Sequence, residues 1–177
     1  MKKTAMILWL AATAVLAGCG SATRPPAWTA QPAAQGVIRP DYRIEFRPVK
    51  AGKDFYAAFI VDITNTGGKT LTVNWQASRY LHDGKPRGRF MFAGLTPDAI
   101  RGALPPDTIP PAERLEKEIW PIQLVAMAPY RESGVKAADS GFSKGVIPPG
   151  ENGIRLVLKI GAKTVTETLS VRIRSNR

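Results

Sequence analysis

The chain has 177 residues, enough for one domain, with 25 Lys and Arg against 14 Asp and Glu for a formal charge of +11. One Cys and one His exclude a disulfide framework within the chain and a zinc site built from His and Cys, and they leave His82 as the sole imidazole for any Cys-His or Ser-His nucleophile. Apolar residues make up 44% and charged residues 22%, so a folded globular domain is expected rather than a disordered chain. The first element is a short basic head, Met1-Lys2-Lys3, followed by an apolar run from Ala5 to Leu16 and small residues ending at Cys19. This is the anatomy of a secretory signal peptide. As a helix, Ala5 to Gly18 covers roughly 21 Å against a hydrocarbon core of about 30 Å, too short for a comfortable span.

Leu16-Ala17-Gly18-Cys19 closely resembles the lipobox of bacterial lipoproteins. In that class the signal is cut before the Cys, whose sulfur carries a diacylglycerol and whose new amino group is often acylated. The resemblance implies removal of residues 1–18 and a lipid-bearing Cys19, which also accounts for the lone cysteine. Two or three acyl chains, at about 0.8 kcal/mol per buried CH₂, anchor a protein durably. Gly20 stands where an Asp commonly signals inner-membrane retention in enterobacterial lipoproteins. The resemblance therefore points to the periplasmic face of an outer membrane, in a source that has one.

Residues 19–40 are rich in Ala, Pro, Gly, Ser, Thr and Gln without a regular apolar period, and read as a flexible tether. Trp28 is its odd member, suited either to the lipid interface or to packing back on the domain. From Asp41 to Arg177 the pattern is β. Tyr42, Ile44 and Phe46 alternate with charged residues, and Phe55, Ala57, Phe59, Val61 and Ile63 form the next stripe. Asn65-Thr66-Gly67-Gly68 is a turn, after which Leu71, Val73 and Trp75 share a face. Strands are expected around Arg79–His82 and Arg87–Phe92, joined by Asp83-Gly84, and from Leu115 to Leu124, ending or lying at an edge at Pro121. Thr96-Pro97-Asp98 suits a helix start, so Pro97–Gly102 is expected to form a helical turn.

The last hairpin can be derived in register. Ile154, Leu156, Leu158 and Ile160 are even-numbered, whereas Val165, Leu169, Val171 and Ile173 are odd-numbered. The stripes share a face only if the loop between them has an even length. Gly161-Ala162 as a two-residue type II′ turn pairs Leu158 with Val165 and Ile154 with Leu169. It also sets Glu167 opposite Leu156, a misfit that requires a partner or a bulge.

These segments predict an all-β fold, an antiparallel two-layer sandwich of about seven strands with one short helical turn in a long loop. Asp62-Ile63-Thr64-Asn65-Thr66-Gly67 and Ile147-Pro148-Pro149-Gly150-Glu151 resemble turns of immunoglobulin-like sandwiches in bacterial envelope proteins. In such domains a Trp at the place of Trp75 is commonly buried.

The densest basic feature is His82-Asp83-Gly84-Lys85-Pro86-Arg87-Gly88-Arg89. Lys85, Arg87 and Arg89 at a hairpin tip suit phosphate, lipid headgroups or an acidic partner; equally, they suit a solvated edge that resists aggregation, and the sequence favours the latter. Glu113, Glu116 and Glu118 beside Lys117, and Asp62, are the candidate catalytic acids, but strand parity turns Glu116, Glu118 and Asp62 outward. Asn65 reads as a turn residue rather than a ligand. Gly141 to Gly145 lacks the setting of a phosphate loop. The connections 93–111 and 126–149 are long for a sandwich and suit recognition or the covering of its open ends.

No catalytic residue, cofactor or metal site is expected. The predicted function is a membrane-anchored lipoprotein whose sandwich binds or scaffolds an envelope component. The expected partners are the lipid bilayer through Cys19 and an envelope protein or anionic envelope polymer, and not nucleic acid, which an exported protein rarely meets. A pilot or accessory lipoprotein of a secretion or surface-assembly machine is the alternative, and a carboxylate-dependent cell-wall hydrolase the opposing class.

Overall fold

Two antiparallel sheets dominate the computed structural model, which describes residues 28–52, 55–95, 101–127 and 142–175. Sheet I is built on the long hairpin of β13 (Gly150–Ile160) and β14 (Lys163–Ser175). On the far side of β14 lies β1 (Trp28–Gln31). The free side of β13 is shared by two short strands, β5 (Leu71–Val73) and β6 (Arg79–His82). Beyond these lie β9 (Asp107–Ile109) and β7 (Lys85–Gly88). Sheet II runs in the order β2 (Gln35–Ile38), β3 (Tyr42–Ala51), β4 (Phe55–Asn65), β10 (Arg114–Pro121) and β8 (Phe90–Phe92). A third, two-stranded sheet pairs β11 (Ala126–Met127) with β12 (Phe142–Ser143).

The alternating stripes bury as expected. Ile44, Phe46, Phe59, Val61 and Ile63 of sheet II face Leu71, Val73, Ile154, Leu156 and Leu158 of sheet I, all with no exposed surface. Phe46 stacks on Phe59 within sheet II at 4.6 Å, and Tyr80 of sheet I bridges the layers to Phe59 at 6.3 Å and Phe90 at 6.0 Å. Trp75 is fully buried, 5.7 Å from Phe92, and its indole N–H donates to Asp107 at 2.6 Å. Burying an aromatic of this size with its polar atom satisfied is the arrangement that costs least in a core.

Register agrees residue by residue in the last hairpin. Leu158 pairs with Val165, Ile154 with Leu169 and Leu156 with Glu167. Gly161 takes φ +58 at the first loop position, as the type II′ turn requires. The misfit at Glu167 is resolved by a partner rather than a bulge. Its carboxylate accepts from Arg39 Nε at 2.8 Å, Arg39 Nη2 at 3.1 Å and the Tyr42 hydroxyl at 2.7 Å. Arg39 and Tyr42 lie at the β2–β3 turn of sheet II, so the inward acid ties the two layers together at one end.

Three expectations are revised. The described residues contain fourteen strands rather than about seven, because stripes report faces and not hydrogen bonds: β5 and β6 lie end to end along one partner, and Arg87–Phe92 divides between two sheets. The tether of 19–40 contains β1 and β2; edges offered by β14 and β3 order it, and Trp28, Ala30 and Val37 pack on the core although the segment has no apolar period of its own. In β4 the odd stripe breaks at a bulge. Val49 pairs with Ala58 but Lys50 with Tyr56, so Tyr56 turns inward against the Ala30 backbone and Phe55 is only half-buried. Strand β10 ends at Pro121, one of the two outcomes that the proline allows; it lies inside the sheet between β4 and β8 and gives way to a 3₁₀ turn at Ile122–Leu124. The helical turn expected over Pro97–Gly102 falls largely on residues 96–100, outside the described residues.

Candidate functional site

The basic tip is a tight hairpin. Asp83 and Gly84 both take positive φ, +49 and +71, as a two-residue type I′ turn demands. The Asp83 carboxylate accepts the Glu151 N–H at 3.0 Å and lies 3.4 Å from His82 Nε2, which binds the tip to the start of β13. His82 is therefore part of a turn; among the described residues its buried Nδ1 has no hydrogen-bond partner. Lys85 and Arg87 project from β7 and are exposed.

Arg89 is separated from them. It is the link at which the chain leaves β7 in sheet I for β8 in sheet II. Its guanidinium donates to Gln76 Oε1 at 3.0 Å and to the Gly102 carbonyl at 2.9 Å. Gln76 Oε1 also accepts the Leu104 N–H at 3.1 Å. Arg89 thus holds the first long connection against the sandwich. Proximity in sequence placed three cations together, and the crossing between sheets divides them.

The tip adjoins the outer face of sheet I. Cross-strand pairs define that face: Arg174 opposite Thr29, Arg172 between Gln31 and Glu151, Arg155 between Thr168 and Arg79, and Lys159 between Thr164 and Thr72. Five cations on it meet one acid. Arg79 donates to the backbone carbonyls of Gln76 and Ser78. Glu151 is taken up by the Ser170 hydroxyl at 2.7 Å. Between the tip and the sheet runs a shallow groove of about 280 Å³, bounded by Leu81 and Pro86 on one side and by Arg155, Thr168 and Ser170 on the other. Gly153 floors it.

The outer face of sheet II is different in kind. Asp62 pairs with Arg114, which also reaches Glu116 at 3.2 Å; Arg47 lies 3.8 Å from Glu45 and 3.9 Å from Glu116; Lys144 lies 2.8 Å from Glu118. These acids, the candidates for catalysis, form a charge-balanced lattice on the surface. Glu113 is exposed before β10. The Asn65 amide braces its turn and ties it to β9, with Nδ2 donating to Lys69 O and Ile109 O and Oδ1 accepting from Gly67 N–H at 3.0 Å.

Lys117, named in the sequence only as a neighbour of the candidate acids, turns inward. Its ammonium pairs with Asp107 and lies over the rings of Phe92, at 4.0 Å, and Trp75, at 5.5 Å. The signal was present: Lys117 shares the inward parity of Leu115 and Ile119. The cluster joins β9 of sheet I to β10 of sheet II and closes one end of the core. Among the described residues no three His, Cys, Asp or Glu side chains gather to hold a metal ion, and no helix is long and apolar enough to cross a membrane.

Of the long connections, the first buries Leu95, Leu104 and Ile109, and the second buries Ile147. In these parts they cover the sandwich. Ile100, Tyr130 and Gly141 lie outside the described residues, as does Cys19. In comparisons with known proteins, no family model and no curated sequence matches the chain.

Proposed function

We propose that the chain is a lipid-anchored lipoprotein of the bacterial envelope, whose sandwich is an immunoglobulin-like, non-catalytic module that binds or scaffolds another envelope component. The observation that carries this reading is Leu16-Ala17-Gly18-Cys19 after a basic head and a short apolar run, with no second cysteine in the chain. Strand order supports the immunoglobulin-like comparison. Taking β3, β4, the β5–β6 pair, β8, β10, β13 and β14 as A to G, sheet II contains A-B-E-D and sheet I contains C-F-G. The buried Trp75 beside the C position agrees with it. The balanced lattice around Asp62, Glu116 and Glu118 supports a module rather than a carboxylate hydrolase, because each acid already faces a cation.

Fractionation of bacteria expressing the full chain tests the anchor. Wild type is expected in the membrane pellet after a high-salt wash, and Cys19→Ala in the soluble fraction. A Cys19→Ala protein that still sediments with membranes overturns the reading. Crosslinking in intact cells, followed by identification of the captured species, then distinguishes one dedicated partner of an assembly machine from a general envelope ligand.

A further inference from the structure

We propose that the outer face of sheet I docks on an anionic phospholipid bilayer, placing Arg155, Arg172 and Arg174 against the headgroups. Three observations converge on this occupant. The first is the contrast between the two outer faces, since on sheet II Arg47 and Arg114 pair with Glu45, Asp62 and Glu116, whereas on sheet I five cations meet one acid. Among the described residues no carboxylate lies within ion-pair distance of Arg155, Lys159, Arg172 or Arg174, and all four are exposed.

The second is shape. The positions between the cations are Thr164, Thr166, Thr168, Ser170, Gly153 and Val157, short side chains that leave the guanidinium and ammonium groups standing proud of a broad surface. At roughly 3.4 Å per residue, Arg174 and the Thr168 row that carries Arg155 lie about 20 Å apart along β14, a spacing that several headgroups fill at once. A flat array of well-separated cations suits many mobile phosphates better than one small anion.

The third is where the chain enters the sheet. Strand β1 begins at Trp28, paired with Ser175, and its Thr29 stands opposite Arg174. Eight residues, Gly20 to Ala27, separate Cys19 from Trp28. Even fully extended they reach no more than about 30 Å. A lipid on Cys19 therefore holds the Arg172–Arg174 corner close to the membrane. This third argument rests on the anchor reading; the charge contrast does not.

The test compares full-length chains that all carry Cys19→Ala, so acylation plays no part and the leader contributes equally to every arm. Binding is measured to vesicles of phosphatidylcholine and of phosphatidylcholine with phosphatidylglycerol. The parent is expected to prefer the anionic vesicles, and to lose that preference as salt screens the surface. Arg155→Gln/Arg172→Gln/Arg174→Gln is expected to weaken anionic-vesicle binding about a hundredfold, at roughly fivefold per cation. Arg43→Gln/Lys69→Gln/Lys163→Gln removes the same charge from exposed positions elsewhere and is expected to retain most of the affinity. The corresponding triple Arg→Lys variant on sheet I, which keeps the charge, is expected to bind as the parent and guards against a folding effect of the Gln substitutions.

Equal losses in the two Gln variants would reduce the effect to net charge and overturn the proposal. So would an unchanged affinity on neutralising sheet I, or parent binding to a soluble acidic polymer with no preference for anionic vesicles. Acylation of Cys19 is read separately, so failure of the anchor and failure of this face are distinguishable.

Discussion

Glu167 stands opposite Leu156 in the last hairpin and is held by Arg39 and Tyr42 of the facing sheet. Its place opposite Leu156 followed from loop parity, and so did its need for a partner. That Arg39 and Tyr42 are the partners did not, because they meet it only when two sheets pack face to face. The geometry has a pH signature. Hydrogen bonding to Arg39, opposed by partial burial and aided by Tyr42, holds the Glu167 carboxyl below its ordinary 4.5. A depressed carboxylate stabilises the fold above its unfolded value, and that contribution is lost as pH falls through the lower folded value. Glu167→Gln should therefore melt below wild type at neutral pH, with the gap narrowing as the pH falls below about 4.5 in thermal melts. A gap that stays constant into strong acid would mean that the charge on Glu167 does not stabilise the link. Burial first, and Glu167 second, push the Tyr42 hydroxyl up to about 12. Its neutral form is the folded one, so this contribution persists below 10.0 and is lost as pH rises toward 12. Tyr56 and Tyr80 are raised as well, chiefly by burial, which makes the alkaline limb a shared property and the acid limb the cleaner test.

At the scale of elements, the β13–β14 hairpin was the most legible part of the chain. Two apolar stripes of opposite parity admit few loops, and Gly161-Ala162 satisfies both parity and turn chemistry. Elements that depend on a distant partner were not legible. The β4 bulge, the strand pairing of residues 28–38 and the crossing at Arg89 each arise because another strand offers an edge, which no local period announces. Gly153 belongs to the same class. In sequence it is an unremarked glycine within a strand; in the structure, a Cβ there meets Leu169 O at 2.5 Å and Ser170 Cβ at 2.9 Å. Both neighbours belong to the paired strand and yield only if the hairpin shifts. Gly153→Ala is expected to cost about 1–3 kcal/mol in urea unfolding, the usual range for an overpacked site. Gly68→Ala, with nothing within 4 Å and no positive φ, is expected to be nearly neutral. Equal midpoints for the two variants would contradict the close approach at Gly153.

For the whole molecule, a charge of +11 says only that anionic partners are favoured; the distribution is what the fold adds. The sequence concentrated attention on Lys85, Arg87 and Arg89, because they are adjacent in the chain. Folding sends Arg89 to Gln76 and Gly102 and gathers Arg155, Arg172 and Arg174 from two strands onto one face. The candidate surface was thus half legible: its sign was evident, but its residues depended on sheet register. The proposed anchor, by contrast, rests on adjacent residues and needs no fold to be read. The central claim is that Cys19 becomes the lipidated first residue of a membrane-held protein. Mass spectrometry of the N-terminal peptide, taken from protein extracted from bacterial membranes, tests it most directly. The account predicts a peptide that begins at Cys19 and carries a diacylglyceryl group on its sulfur; a peptide that begins at Met1, or one with an unmodified Cys19, would contradict it.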